Sequence, residues 1–275
     1  MCDYSAVLKK TSYLARRGAK PFSVGKSLSG REIVCIGIGS GKKAAVITGA
    51  IHAREHATAS LVLMQAEYAL GRLKKGEGRL YFLPCLNPDG VQIACGKAPP
   101  PPFYKGDVRL YKANARGVDL NVNFDADWGE GASNVFVPGG ENFVGSAPFS
   151  ESETAAIRDF TLSTLPDCTV SYHLKGREIY YDFRCDRKTG EEYRRLAEEV
   201  NRKLRYKIVA DSGVSVGGYK DWCIRRLKIP ALTVEIGKET LAHPVSEREL
   251  SEDYARNLDL PLTVLRWITQ PKKTI

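Results

Sequence analysis

The chain has 275 residues, 43% of them hydrophobic and 27% charged, a globular composition long enough to bury a core without covalent staples. Its seven cysteines are scattered, odd in number and free of any CxxC, which argues against a disulfide framework or a cysteine-based zinc knuckle and favours a reducing, cytoplasmic setting. The 41 Lys+Arg against 32 Asp+Glu give a net charge of +9; this suits either a plain basic surface or attraction for an acidic substrate. The basic residues are spread along the chain, and neither a zinc-finger spacing nor an RNP motif occurs, so no nucleic-acid partner is expected.

In chain order, the opening MCDYSAVLKKTSYLARRG lacks the continuous apolar stretch of a signal peptide. Residues 1–24 read as a helical lead-in to a single catalytic domain spanning 1–275. No run approaches 18 apolar residues, so no membrane span is expected. Residues 31–38 and 43–49 read as glycine-bounded strands, and 55–74 carry Leu61, Met64, Leu70 and Leu73 at near-helical spacing. A strand over 79–86 ends at Asn87-Pro88-Asp89-Gly90, a turn signal. Four prolines, Pro99 to Pro102, predict an extended surface loop. Ser150 and Glu153 have the spacing of a capping box, opening a helix to about 163. Strands follow over 168–173 and 178–183, a helix over 190–204, a buried strand over 229–236 and a final helix over 247–268. Strands alternating with helices indicate an α/β domain with helices covering a largely parallel sheet. Such sheets gather ligands at the carboxyl ends of their strands.

Two of the four histidines fall at such ends: His52 after AAVITGAI and His173 after CTVSY. A histidine at a strand end is often only structural. With Glu55 three residues beyond His52, however, two imidazoles and one carboxylate make the three-ligand, open-position set of a catalytic zinc site. His52-Ala-Arg-Glu55-His56 also matches H-x-x-E-H, in which both histidines bind zinc from one helical face and the glutamate is the base. The strand pattern running almost to His52 disfavours that parse.

The segments SLSGREI, GAIHARE, LPCLNPDG, GVDLNVNF, PFSESET, SYHLKGREIYY and TVEIG, in this order from about Gly25 to beyond Gly237, resemble the zinc carboxypeptidases of the funnelin type. The resemblance implies a mixed, mostly parallel, eight-stranded twisted sheet flanked by helices. It implies one Zn2+ held by His52, Glu55 and His173, with Glu235 of TVEIG as general base. Asp119 falls where a carboxylate orients the first zinc histidine. Arg116 is the preferred candidate for stabilising the tetrahedral oxyanion, with Lys112 the alternative. Arg54 is expected to contact substrate.

One position departs from the family pattern. Its exopeptidases carry Asn-Arg where this chain has Asn121-Val122, and valine cannot clamp a terminal carboxylate as arginine does. Asn121 remains as a substrate contact. Lys220, in the GGYKDW segment that lines the pocket for the leaving residue, would favour an acidic side chain there. The pocket tyrosine common in the family has no counterpart around 213–214. These features are similar to the bacterial branch that cleaves γ-D-glutamyl bonds to meso-diaminopimelate, which implies a zinc metallopeptidase acting on an acidic, murein-derived peptide. The alternatives are a metallocarboxypeptidase releasing acidic C-terminal residues and a non-catalytic zinc- or peptide-binding module.

Overall fold

The computed structural model describes residues 2–210 and 214–270. Asp3 caps the first helix, α1 (Tyr4–Arg16), by accepting the Ala6 amide at 2.7 Å. The helical lead-in is shorter than 1–24, because β1 (Lys20–Lys26) already belongs to the sheet. β1 is a largely exposed edge strand that opens with Pro21 close to its start, a place where the missing donor is tolerated. β2 (Glu32–Ser40) and β3 (Ala44–Thr48) follow, then a 3-10 turn at Ala53–Glu55, α2 (Ala57–Leu70) and β4 (Gly78–Leu83).

The Asn87–Gly90 turn signal is in fact a helix start. The Asn87 side chain accepts the Gly90 amide at 2.9 Å and Pro88 sits in the first turn of α3 (Pro88–Ala94), where no donor is required. The capping box before α4 (Ser152–Thr164) does not form: Glu151 holds the cap position, and Glu153 is fully buried. After β5 (Cys168–Leu174), the strand β6 (Glu178–Tyr180) is shorter than expected, and α5 (Arg187–Leu204) is longer. β7 (Lys207–Val209) and α6 (Tyr219–Leu227) carry little apolar periodicity and escaped the sequence reading. After β8 (Ala231–Ile236) the expected single helix is two, α7 (Ser251–Asn257) and α8 (Leu260–Thr269). Pro261 opens α8, and its missing N–H cannot extend a helix begun upstream.

The eight strands form one sheet in the order β1-β2-β4-β3-β5-β8-β6-β7. Pairing is parallel at β4–β3–β5–β8 and β6–β7, and antiparallel at β1–β2, β2–β4 and β8–β6. β3 is buried at all five positions, as a central parallel strand must be. Ala45 and Ile47 face one apolar layer, with α2 and α8; Val46 faces the other, with α4 and α6. In β5 and β8 one face is apolar: Val170, Tyr172, Leu232, Val234 and Ile236 join the first layer. The alternate positions are Thr169, Ser171, His173, Thr233 and Glu235. The pleat therefore gathers the polar residues of two adjacent central strands on one side of the sheet. No helix among the described residues is long and apolar enough to cross a membrane.

The first turn of α4 carries a buried acid. Glu153 has one carboxylate oxygen without a partner, and burial, with the charges of Asp89 and Glu151 adding to it, pushes its carboxyl from an ordinary 4.5 to about 7. The folded state thus keeps a proton that the unfolded chain releases, so stability declines as pH rises from 4.5 to 7, by up to about 3 kcal/mol. Glu153→Gln is expected to melt several degrees above the wild type at pH 8, with the gain fading near pH 4.5, in calorimetric scans. An equal gain at both pH values would mean that charge is not the cause.

Candidate active site

After β3 the chain passes through Ala50 in the left-handed region (φ +47°) and then through His52 in extended conformation (φ −88°, ψ 129°), just ahead of the 3-10 turn that carries Glu55. His52 and His56 therefore do not share a helical face, and the H-x-x-E-H parse is corrected on that ground. His56 stands at the N-cap of α2; burial lowers its pKa, and the charges of Asp3 and Glu247 oppose that.

His173 reaches the same point from the end of β5. Its Nδ1 lies 3.1 Å from His52 Nδ1. Glu55 bridges the two, with Oε1 2.9 Å from His52 Nδ1 and Oε2 3.3 Å from His173 Nδ1. All three ligand atoms lie within 4.8 Å of one another, and all three residues are buried. Two imidazole nitrogens face each other beside one carboxylate, whose backbone donor is the Leu174 amide, 3.1 Å from Oε2, and among the described residues no cationic side chain lies between the imidazoles to meet their lone pairs. A divalent cation satisfies them, and an N,N,O set with an open position suits zinc. Among the described residues this is the one group of His, Cys, Asp and Glu gathered closely enough to hold a metal. Burial would raise the Glu55 carboxyl, but the two imidazoles hold it well below its ordinary range.

Asp119 is fully buried and sits with Oδ1 3.3 Å from His52 Nε2 and Oδ2 2.7 Å from Lys112 Nζ. Burial opposes its charge, yet Lys112 and His52 keep it well below the ordinary carboxylate range. The carboxylate thus stands between His52 and Lys112, on the side of the imidazole away from the metal group. The expectation for Arg116 is corrected here. Its side chain is half exposed and points to Glu151, 3.7 Å away, whereas Lys112 lines the cleft. The local reason is Asn114, whose Oδ1 accepts the Arg116 and Val118 amides and curls the chain away from the metal group.

Glu235 pairs across the parallel ladder with His173, which puts its carboxylate next to the metal group on the polar face. Burial pushes this carboxyl up to about 8, and the negative charges of Glu55 and Glu178 add to the rise while His173 and Lys112 oppose it. Its Oε2 has no hydrogen-bond partner. Arg54 and Asn121 also line the cleft; Asn121 Oδ1 accepts the Tyr219 amide at 3.3 Å. Val122 lies beside it, in a close approach to Gly217 (φ +89°) that a Cβ there would block at 3.0 Å. Lys220, in the first turn of α6, is nearly buried, donating to the Asp182 carbonyl at 2.6 Å and to Asp221 Oδ1 at 2.5 Å. Leu174, Gly218 and Asp221 also line the cleft, the last two within the GGYKDW segment, and so do Tyr180, Thr233 and Ser215, which were not singled out from sequence. The alternation Thr233-Val234-Glu235 was the available signal for one of them. Of the two positions read for a missing tyrosine, 213 lies outside the described residues and Val214 lines the cleft.

The sequence profile of the zinc carboxypeptidase family matches residues 5–258. A γ-D-glutamyl-L-diamino acid endopeptidase of Lysinibacillus sphaericus is 31% identical over 273 residues, covering 89% of this chain and 68% of that protein. The crystal structure of a murein-tripeptide amidase from Escherichia coli O157 superposes with a TM-score of 0.60 at 27% identity, covering 94% of this chain and 97% of the other. Carboxypeptidase A from Helicoverpa armigera shares the fold, with a TM-score of 0.77 at 19% identity and coverage of 97% and 73%. The chain therefore belongs to the zinc carboxypeptidase family and is a zinc metallopeptidase, a hydrolase whose homologues include enzymes of murein peptides.

Proposed function

We propose that the protein hydrolyses the amide bond between a γ-D-glutamyl residue and a diamino acid in murein-derived peptides. The observation that carries this reading is the pair Val122 and Lys220. The basic side chains lining the cleft are Arg54, Lys112 and Lys220, and the position beside Asn121 is an apolar valine. Among the described residues no arginine stands beside Asn121 to clamp a terminal α-carboxylate, while Lys220, held by the Asp182 carbonyl and Asp221, lies on the cleft wall where the leaving residue's side chain would sit. The names of the bacterial relatives support the same substrate class. The seven free thiols fit encounter with the peptide in a reducing cytoplasm.

In this reading His52, Glu55 and His173 hold the zinc, and Asp119 orients His52. Zinc bound there supplies Lewis acidity and acidifies a water molecule. Glu235 accepts the water proton at its unpartnered Oε2. The water oxygen adds to the amide carbonyl carbon, the C–N bond breaks, and Glu235 returns the proton to the departing nitrogen. Lys112 Nζ, held by Asp119, donates to the carbonyl oxygen as negative charge develops on it. Arg54 and Asn121 hold the peptide, and Lys220 meets the carboxylate at the far end of the diamino acid.

The test is incubation of the zinc-loaded protein with L-Ala-γ-D-Glu-meso-diaminopimelate, with products identified by mass. A matched peptide carries its α-carboxylate beside the scissile bond as an amide. Release of diaminopimelate from the first, and of its amide at nearly the same rate from the second, is expected. An arginine-type clamp would instead impose a loss of roughly 10- to 150-fold on the amide. Strict dependence on the free carboxylate would favour the second reading, a carboxypeptidase for acidic C-terminal residues, which Lys220 also suits.

A further inference from the structure

Lys112 faces a geometric problem that an arginine in its place would not. A guanidinium presents its donors in a rigid plane, whereas an ammonium is a compact charge that turns at the end of a flexible stem. Its three N–H bonds spread in different directions. One partner, Asp119 Oδ2 at 2.7 Å, fixes one of them and leaves the other two free to swing around that line. A second partner is needed before the third N–H has a direction.

The strap formed by residues 140–143 supplies it, and every residue of the strap is bonded to the site. The Gly140 carbonyl accepts the Lys112 and Ala113 amides, both at 3.2 Å, and the Phe143 carbonyl accepts the Asp119 amide at 2.9 Å. Glu141 pairs with Arg54 at 3.2 Å. Between them, the Asn142 amide donates at 3.1 Å to Asp119 Oδ2, the same oxygen that Lys112 meets, and the Asn142 carbonyl accepts the Val135 amide at 2.9 Å. With both peptide groups held, Asn142 stays in the left-handed region (φ +62°), which asparagine tolerates better than most residues. Its side-chain Oδ1 then lies 3.4 Å from Lys112 Nζ. Only the amide oxygen can serve there, because an ammonium donates and never accepts. The contact is long, so Asp119 supplies the strength of the hold and Asn142 its direction. On the other side, the Lys112 carbonyl accepts the Ala53 amide at 2.9 Å, which ties the main chain of the lysine to the turn that carries Glu55.

We propose that Asn142 is a positioning residue for the oxyanion step: together with Asp119 it holds the Lys112 ammonium so that the remaining N–H points into the cleft. This rests on the role given to Lys112 in the proposed function and deepens it. Asn142 lies outside the cleft lining, in which Lys112 takes part, so its effect on the reaction passes through the lysine. As water adds to the amide, the carbonyl oxygen gains negative charge. A donor that is already aimed at that oxygen needs no reorganisation at that moment.

The experiment is a double-mutant cycle on L-Ala-γ-D-Glu-meso-diaminopimelate, run on the zinc-loaded full chain as wild type, Asn142→Gly, Lys112→Met and the double variant. Glycine accepts the left-handed backbone, keeps both peptide hydrogen bonds and removes only the side-chain oxygen. In the wild-type background Asn142→Gly is expected to lower kcat about tenfold, the scale of one hydrogen bond to a charged group, with KM nearly unchanged and zinc content kept. In the Lys112→Met background the same change should cost less than about twofold, because no ammonium is left to aim. An equal loss in both backgrounds would trace to a damaged strap and overturn the assignment. An unchanged kcat in Asn142→Gly overturns it as well, and both results leave the hydrolysis of γ-glutamyl bonds standing. No turnover by the wild type removes the proposed function, and the positioning role with it.

Discussion

Glu235→Gln is expected to lower kcat by about 10³-fold, the middle of the range for a positioned general base, while one zinc per chain remains by metal analysis. Glutamine keeps the size and polarity of the side chain on the cleft face of β8 and removes only its ability to carry a proton. A second readout separates this chemistry from damage to the fold. In the metal-free protein, burial lifts the Glu235 carboxyl from 4.5 to about 8. The folded state then binds a proton that the unfolded state has already lost, so stability falls as pH rises between those values. The glutamine variant, with nothing to ionise, should melt above the wild type at pH 8 and level with it near pH 4.5. Full activity in Glu235→Gln would remove the residue from the proton-transfer role. Loss of zinc along with activity would place it among the groups that hold the metal.

How much of this was legible depends on the reach of each signal. The metal group was readable because His52, Glu55 and His173 stand next to strand ends, and strand ends are what an apolar run followed by glycine and a polar residue announces. The central strands β3, β5 and β8 were found for the same reason. The elements that escaped lack this contrast. β1 is mostly exposed, β7 spans three residues, and α6 carries Lys220, Asp221, Arg225 and Arg226 within nine residues. Boundaries failed where one residue can serve two purposes. Asn87-Pro88-Asp89-Gly90 is a turn by composition and a helix cap by geometry, and only the capture of the Gly90 amide by Asn87 distinguishes them. Ser150 and Glu153 have capping-box spacing, but Glu153 turns toward Asn114 in the interior. The choice between Arg116 and Lys112 failed because both lie in one irregular loop, where sequence distance says little about direction. The preference for an arginine favoured Arg116, and the Asn114 turn directs that side chain away from the metal group while Lys112 lines the cleft.

That choice yields a second result of large expected size. Lys112→Met should reduce kcat by about 10²- to 10³-fold, the cost of removing one donor to a developing oxyanion, with KM for the γ-glutamyl peptide changing far less. Arg116→Met should leave kcat near the wild-type value, because its guanidinium faces Glu151 and the solvent. The split between kcat and KM is the discriminating observation, since a lysine that merely bound the ground-state peptide would act on KM. Lys112 also neutralises Asp119, which in turn contacts His52, so its removal could weaken the metal site instead. Zinc titration of Lys112→Met answers this: unchanged stoichiometry with the kcat loss assigns the effect to the oxyanion. Lys112→Arg should then recover much of the rate, because a guanidinium at that place can reach both the Asp119 carboxylate and the carbonyl oxygen. A large kcat loss in Arg116→Met with Lys112→Met near wild type would reverse the assignment, and would require the loop around Asn114 to adopt another path when substrate is bound.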